Sequence, residues 1–453
     1  MHTCDLDITI NKLSKIEGHA DLDIKIRGGK VEDVGLRVME NMRFFNQAVR
    51  GQSYSSVPQL VSRICGTCSI AHLTACIEAV EKTLEIRPSE QTVILRKLTM
   101  YSLMIRDHAL HLYFFVLPDI FGIDSVLDLP DDLAPFIKRC VGRITSLSYK
   151  SGKDIIHEAL HVKEAGNNLS NLVAGRAVHA PFEQVGGFSN EVDKVKIPAI
   201  IEELKSVRSC VMKLAEIFYS CPWEFKRKTN FVALVTPDFS FLEGRIKNTA
   251  NSGVVIEEKD YWDHLHSVVL PYSQAAGFEF EGSEYMVGAL ARLNLNKDAL
   301  HPDTKKDTEK YLAVFPSDNV FHNNLAQAIE IMHSIDHSIE LLEKNDFKKE
   351  APVKPTKLSG EGVGVIEAPR GTLYYWLGIN DGKVRYANFV IPTAQNLINM
   401  RSDVKNIVNG ICNYKAPMKE FEGKIKKEVE KIIRAYDPCM SCAAHFLRVN
   451  WVE

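Results

Sequence analysis

The sequence predicts an α/β protein of the α+β kind, a central bundle of long helices with peripheral β-sheets. Apolar residues recur at helical spacing over long stretches, as at Ile70, Leu73, Ile77, Val80 and Leu84. Short runs that alternate apolar and polar residues gather toward the two ends of the chain. At 453 residues the length alone allows two or three domains or one large compact subunit, and no internal repeat or low-complexity tract interrupts the chain.

Taken in order, 8–10 alternates like a strand, and 20–26 and 31–38 alternate around Arg27-Gly-Gly-Lys30, a hairpin turn. Residues 69–84 form an amphipathic helix. Residues 92–116 are too apolar for an exposed helix and are expected at the centre of the core. Pro118 is expected to stop that helix, leaving Asp119 as a turn or cap residue. Residues 127–166 stay helical but less regular, 175–187 make a glycine-bearing loop, and 197–219 return to an amphipathic helix. A small mixed region spans 225–285, and 323–342 is helical. The charged stretch 348–357, with two prolines, is the best linker candidate. Beyond it 362–366, 371–376 and 384–391 read as strands, and 420–435 as the last long helix. A single subunit, 1–453, is therefore expected. Its parts are a β-rich segment 1–60, a helical core 61–346, a linker-like 347–358, a sheet with the closing motif 359–445, and a tail 446–453.

Composition excludes several classes. The formal net charge of −3 gives no reason to expect nucleic acid as a partner. No apolar run reaches the length of a bilayer span, and the acidic start lacks the pattern of a signal peptide. Ten cysteines are too sparse for a secreted disulfide framework, which points to a reducing, cytoplasmic setting, with membrane association only through partners. Six of them, Cys4, Cys76, Cys140, Cys210, Cys221 and Cys412, have no motif spacing and are expected as small core residues.

The other four carry the chemistry. Arg63-Ile-Cys-Gly-Thr-Cys-Ser-Ile-Ala-His72 and Asp437-Pro-Cys-Met-Ser-Cys-Ala-Ala-His445 are each a Cys-x-x-Cys followed by a histidine, at opposite ends of the chain. Four thiolates suit zinc, nickel or iron, and two independent redox dithiols are an alternative. Cys68 and His72 share a face at a helix start, so His72 is either a satisfied core histidine or a hydrogen-bond partner of a sulfur. Glu17 is either a solvated strand-end carboxylate or a partly buried proton donor. Arg370, in the turn Glu367-Ala-Pro-Arg-Gly371, is either exposed or a fixed cation pointing into a site. His333 and His337 stand one helical turn apart, but Ser334 replaces the glutamate a zinc protease needs, so a polar helix face is expected there.

These motifs resemble those of the large, catalytic subunit of nickel–iron hydrogenases. Lys15-Ile-Glu-Gly-His19, Glu367-Ala-Pro-Arg-Gly371 and Ile391-Pro-Thr-Ala-Gln-Asn396 match further blocks of that family, in order along the chain, with Lys15 where relatives carry arginine. The resemblance implies reversible heterolytic cleavage of H2. It makes Cys65 and Cys439 terminal nickel ligands, and Cys68 and Cys442 bridges to an iron carrying cyanide and carbon monoxide. Glu17 would relay protons from Cys439, Arg370 would stand beside Pro369 over the open metal position, and Asp119 and Asp437 would complete a polar canopy. Thr393 would donate to a cyanide, and His72 would support Cys68. An iron–sulfur small subunit is implied as partner, with further electron-transfer subunits. The Arg43-Phe-Phe and Ala291-Arg-Leu-Asn-Leu-Asn296 stretches look more like the cytoplasmic, multi-subunit branch.

Two departures stand out. A buried magnesium in relatives takes a glutamate where this chain has Asn46, with the Phe389 carbonyl and His445 as its other protein ligands, so its affinity is expected to fall. Residues 446–453 stand where family precursors carry an extension removed by a maturation protease, and are either such a tail or a retained one. The rival expectations are a hydrogen sensor with the same centre, a metal-free homologue from a respiratory complex, and a structural zinc protein.

Overall fold

The computed structural model describes residues 5–41, 43–133, 149, 151–250, 254–412 and 418–444. Cys4, Cys140, His445 and the 446–453 tail, together with the middle of the 127–166 region, lie outside the described residues. Strands β1 (Leu6–Ile10), β2 (Ala20–Arg27) and β3 (Lys30–Val38) form an antiparallel sheet in sequence order. Arg27 pairs with Lys30 across Gly28 and Gly29, both at positive φ, as a two-residue hairpin requires. The sheet packs on a late helix through β3, and Arg401 of that helix donates to the Val34 carbonyl at 2.8 Å.

Helix α1 (Ser69–Leu84) begins at Cys68, and α2 (Glu90–Leu110) is capped by Ser89, whose Oγ accepts from the Thr92 amide. With α3 (Gly152–Ala174) and α4 (Ile197–Ser220), α2 belongs to the central bundle. The chain does not stop at Pro118. A π-helical turn, His111–Val116, follows α2, and Pro118 then sits in the first turn of a short helix, Leu117–Phe121. Proline needs no intrahelical donor at a helix start, so the ring is accommodated and Asp119 falls inside a helix, contrary to expectation. The mixed region holds β4 (Asn230–Val235), β5 (Arg245–Asn248) and β6 (Val255–Ile256), joined by β7 (Tyr285–Met286) in the order β7-β4-β5-β6.

Helix α5 (Ala289–Asn296) leads to α6 (His322–Lys344), which packs on α2 and α4 as a member of the bundle. The 347–358 segment has no regular structure, yet Phe347 is buried and the Val353 amide bonds the Gly186 carbonyl at 2.9 Å. Strands β8 (Gly360–Ala368), β9 (Gly371–Asn380) and β10 (Lys383–Val390) form an antiparallel sheet on which α1 lies. That contact is backbone to backbone: a Cβ at Gly364 would fall 2.5 Å from the Ala75 carbonyl oxygen. The chain closes with α7 (Pro392–Cys412), α8 (Met418–Ala435) and α9 (Met440–Ala443). Among the described residues no helix is long and apolar enough to cross a membrane.

Candidate metal centre

The fold brings the two cysteine motifs together. Cys65 follows a short 3-10 turn in extended conformation, and Cys68 caps the start of α1. Cys439 and Cys442 flank the start and middle of α9. All four are buried, and their sulfurs lie within 4.8 Å of one another. Cys439 is 3.4 Å from Cys65 and 2.8 Å from Cys442, and no disulfide joins them.

Three segments hold the junction. The Met440 amide bonds the Glu17 carbonyl at 2.9 Å, and Gly18, at positive φ, lies so close to Ser441 that a Cβ would stand 2.8 Å from its nitrogen. Arg43 donates to the carbonyls of Arg63 and Ile64 on one motif and Ser441 on the other. Arg106 of α2 donates to the Thr67 carbonyl, between the first two cysteines, at 2.9 Å.

The surroundings are asymmetric. The Glu17 carboxylate is 2.9 Å from Cys439 Sγ and also accepts from the Ser441 amide. On the other side Arg370 points Nη1 at Cys68 Sγ, 3.2 Å away, while Asp107 and Asp437 flank its guanidinium. Burial works against the Arg370 charge, but Asp107, Asp437 and the sulfurs outweigh it and hold the group protonated, above its ordinary range. Hydrogen bonding, chiefly from Cys439, brings the Cys65 thiol well down and Cys68 to about 6, whereas burial pushes Cys439 and Cys442 up. Thiolates in such a set carry charge that a soft divalent cation would neutralise. A small cavity of about 10 Å³ adjoins Cys68, Cys439 and Cys442, lined by His72, Ala368, Arg370, Leu373, Ile391, Pro392 and Thr393. Four buried sulfurs within reach of one another fit a soft metal.

The structure places the other expected residues as follows. Asp437 flanks Arg370, but Asp119 does not: its carboxylate pairs with Lys15 and Arg434. Asp107 of α2 holds the place expected of Asp119, because the helix continues past Pro118 and carries Asp119 toward the N-terminal segment. The His72 amide bonds the Cys68 carbonyl at 3.1 Å. Its ring, held by the Tyr375 hydroxyl at 2.7 Å, reaches across to Cys442 Sγ at 3.4 Å. Thr393 Oγ1 accepts from the Cys439 amide at 2.9 Å and lines the cavity. Pro369 is buried, but its carbonyl turns away to Arg292, and Pro392 borders the cavity instead. Asn46 Oδ1 is buried without a hydrogen-bond partner among the described residues.

The His333–His337 pair is no polar face. His333 is fully buried, accepting from the His301 amide and donating to the Phe239 carbonyl, and burial pushes it down to about 3. Sequence reasoning missed Asp107, His111, Gln327, Glu330 and Arg292. Gln327 donates to Asp437 Oδ2 at 2.9 Å and faces His111 at 2.7 Å. The only signal for Asp107 was a charged Arg-Asp-His run inside an otherwise apolar core helix.

Comparison with known proteins agrees with this geometry. A family model for nickel-dependent hydrogenase matches residues 43–146 and 257–445. Sulfhydrogenase 2 subunit alpha of Pyrococcus furiosus is 31% identical over 98% of this chain and all of its own length. The NAD-reducing hydrogenase HoxS subunit beta of Cupriavidus necator is 26% identical, covering 97% of this chain and 95% of its own. Among solved structures, an NAD+-reducing NiFe-hydrogenase in the H2-reduced state superposes with a TM-score of 0.81 at 23% identity, covering 97% of this chain and 99% of its own. The Ni-Fe-Se hydrogenase of Desulfovibrio vulgaris Hildenborough gives 0.75 at 21% identity, covering 98% and 100%. On these matches, which cover both cysteine motifs, the chain belongs to the nickel-dependent hydrogenase family.

Proposed function

We propose that this chain is the hydrogen-activating subunit of a nickel–iron hydrogenase, splitting H2 reversibly and heterolytically. The observation that carries this is the asymmetric four-sulfur site, with a carboxylate on one sulfur and a guanidinium on another. Cys65 and Cys439 would hold nickel, and Cys68 and Cys442 would hold it together with an iron bearing cyanide and carbon monoxide. When bound, the metal pair supplies the electrophilic centre that polarises H2.

The protein handles the protons and the field. Cys439 Sγ accepts a proton and passes it to the Glu17 carboxylate, 2.9 Å away. Arg370 keeps its proton and acts through charge in a water-excluding pocket. The Thr393 hydroxyl, with its oxygen engaged by the Cys439 amide, has its own hydrogen to offer a cyanide in the cavity. The His72 ring steadies Cys442. Magnesium, where present, would take Asn46 Oδ1 and the Phe389 carbonyl. The two electrons would leave through a partner chain carrying iron–sulfur clusters. The relatives named as subunits of multi-subunit hydrogenases support such an assembly.

The test is isotopic exchange. The metal-loaded complex is expected to scramble H2 with D2O without an added acceptor, and a loaded complex that leaves the gas unchanged contradicts this function.

A further inference from the structure

Resting on that function, we infer that Arg292 is a positioning residue for Arg370, fixing from behind the turn that sets the Arg370 guanidinium over Cys68. Arg292 is 2% exposed, and its five N–H donors make five bonds. Nε and Nη2 reach the two oxygens of Glu330 at 2.6 and 2.7 Å, and Nη1 reaches Glu367 at 2.7 Å. The remaining two go to the carbonyls of Ala368 and Pro369 at 3.0 and 3.1 Å, the two residues directly before Arg370.

The same turn is pressed against the start of α5, which carries Arg292. Gly371 has a positive φ, and a Cβ there would stand 2.5 Å from Val287 Cγ2. Glu330 also takes His108 Nε2 at 2.9 Å, and the neighbouring Asp107 takes Arg370 Nη1. Helix α2 therefore holds the tip of Arg370 and, through Glu330, braces the residue behind its backbone. Stability alone does not explain a buried cation with two buried carboxylates, since apolar packing of similar volume serves as well or better. What apolar side chains cannot do is hold two adjacent carbonyls in fixed directions, and a lysine cannot hold them together with both carboxylates.

The test is a double-mutant cycle in the metal-loaded complex, with nickel and iron content and a crystal structure as readouts beside turnover. Arg292→Lys is expected to retain both metals, lower kcat at least about tenfold with the KM for H2 within about twofold, and move Arg370 Nη1 out of reach of Cys68 Sγ. In an Arg370→Lys background the same change is expected to cost less than about twofold. An equal loss in both backgrounds, an effect confined to KM, or an unmoved Arg370 overturns the inference. If Arg292→Lys does not accumulate with metal, Glu330→Gln replaces it in the cycle, with a smaller kcat loss that again vanishes in the Arg370→Lys background. Equal losses there overturn it too. Failure of the hydrogenase function itself shows separately, as absent turnover in the loaded parent complex.

Discussion

On the proposed function, a proton leaving Cys439 would meet the Glu17 carboxylate first, and the neighbouring Ser441 amide fixes that carboxylate in place. An amide at this position keeps the shape but cannot carry the proton. Glu17→Gln is therefore expected to retain nickel and iron while isotopic exchange falls by about a hundredfold or more. Exchange within about twofold of the parent would remove Glu17 from the path. Arg370 works differently, since the two aspartates that hold it charged also keep it from giving up its proton. The sequence made Glu17, Arg370 and the cysteines legible because each lies in a short motif. Asp107 was not legible: its partner Arg370 lies 263 positions away, and nothing local distinguishes it from a chance acid in a core helix.

At the scale of elements, α6 frames the canopy from outside. Asn323, Gln327 and Glu330 follow one another at helical spacing and bond the Ala435 carbonyl, Asp437 and Arg292. Periodicity predicted this helix but not the polar stripe, because inward polar residues become intelligible only once their partners are in place. The same helix carries His333, whose folded form is neutral, with its pKa lowered to about 3 by burial. Because the unfolded chain titrates near 6.5, its contribution to stability is complete above that pH and is lost as pH falls toward 3. Urea unfolding of the parent chain and of His333→Gln is expected to show the stability gap shifting by about 2 kcal/mol in favour of the variant between pH 7 and pH 5. A gap that stays constant would mean that His333 takes up its proton as readily in the folded chain as in the unfolded one. The π-helical turn after α2 is the element whose position the sequence concealed. Pro118 read as a stop, whereas the helical path continues through the wider turn into a short helix, and Asp119 pairs with Lys15 and Arg434 away from Arg370.

On the scale of the whole molecule, the chain is arranged to close on itself. The N-terminal sheet docks on α7, residues 17–18 lie beside α9, and α1 is pressed on the C-terminal sheet through Gly364. Four thiols from opposite ends thereby share a buried site that neither end could form alone. The alternation of the strands and the spacing of the cysteines announced the parts, but the asymmetry of the site depends on contacts across most of the chain. On the proposed function, that asymmetry serves a nickel–iron centre, whereas a structural zinc has no use for it. The most direct measurement is metal analysis of the purified complex together with its infrared spectrum. The account predicts one nickel and one iron for each chain, with the stretching bands of carbon monoxide and cyanide. Zinc bound at the four sulfurs, with no nickel, no iron and no such bands, would contradict it.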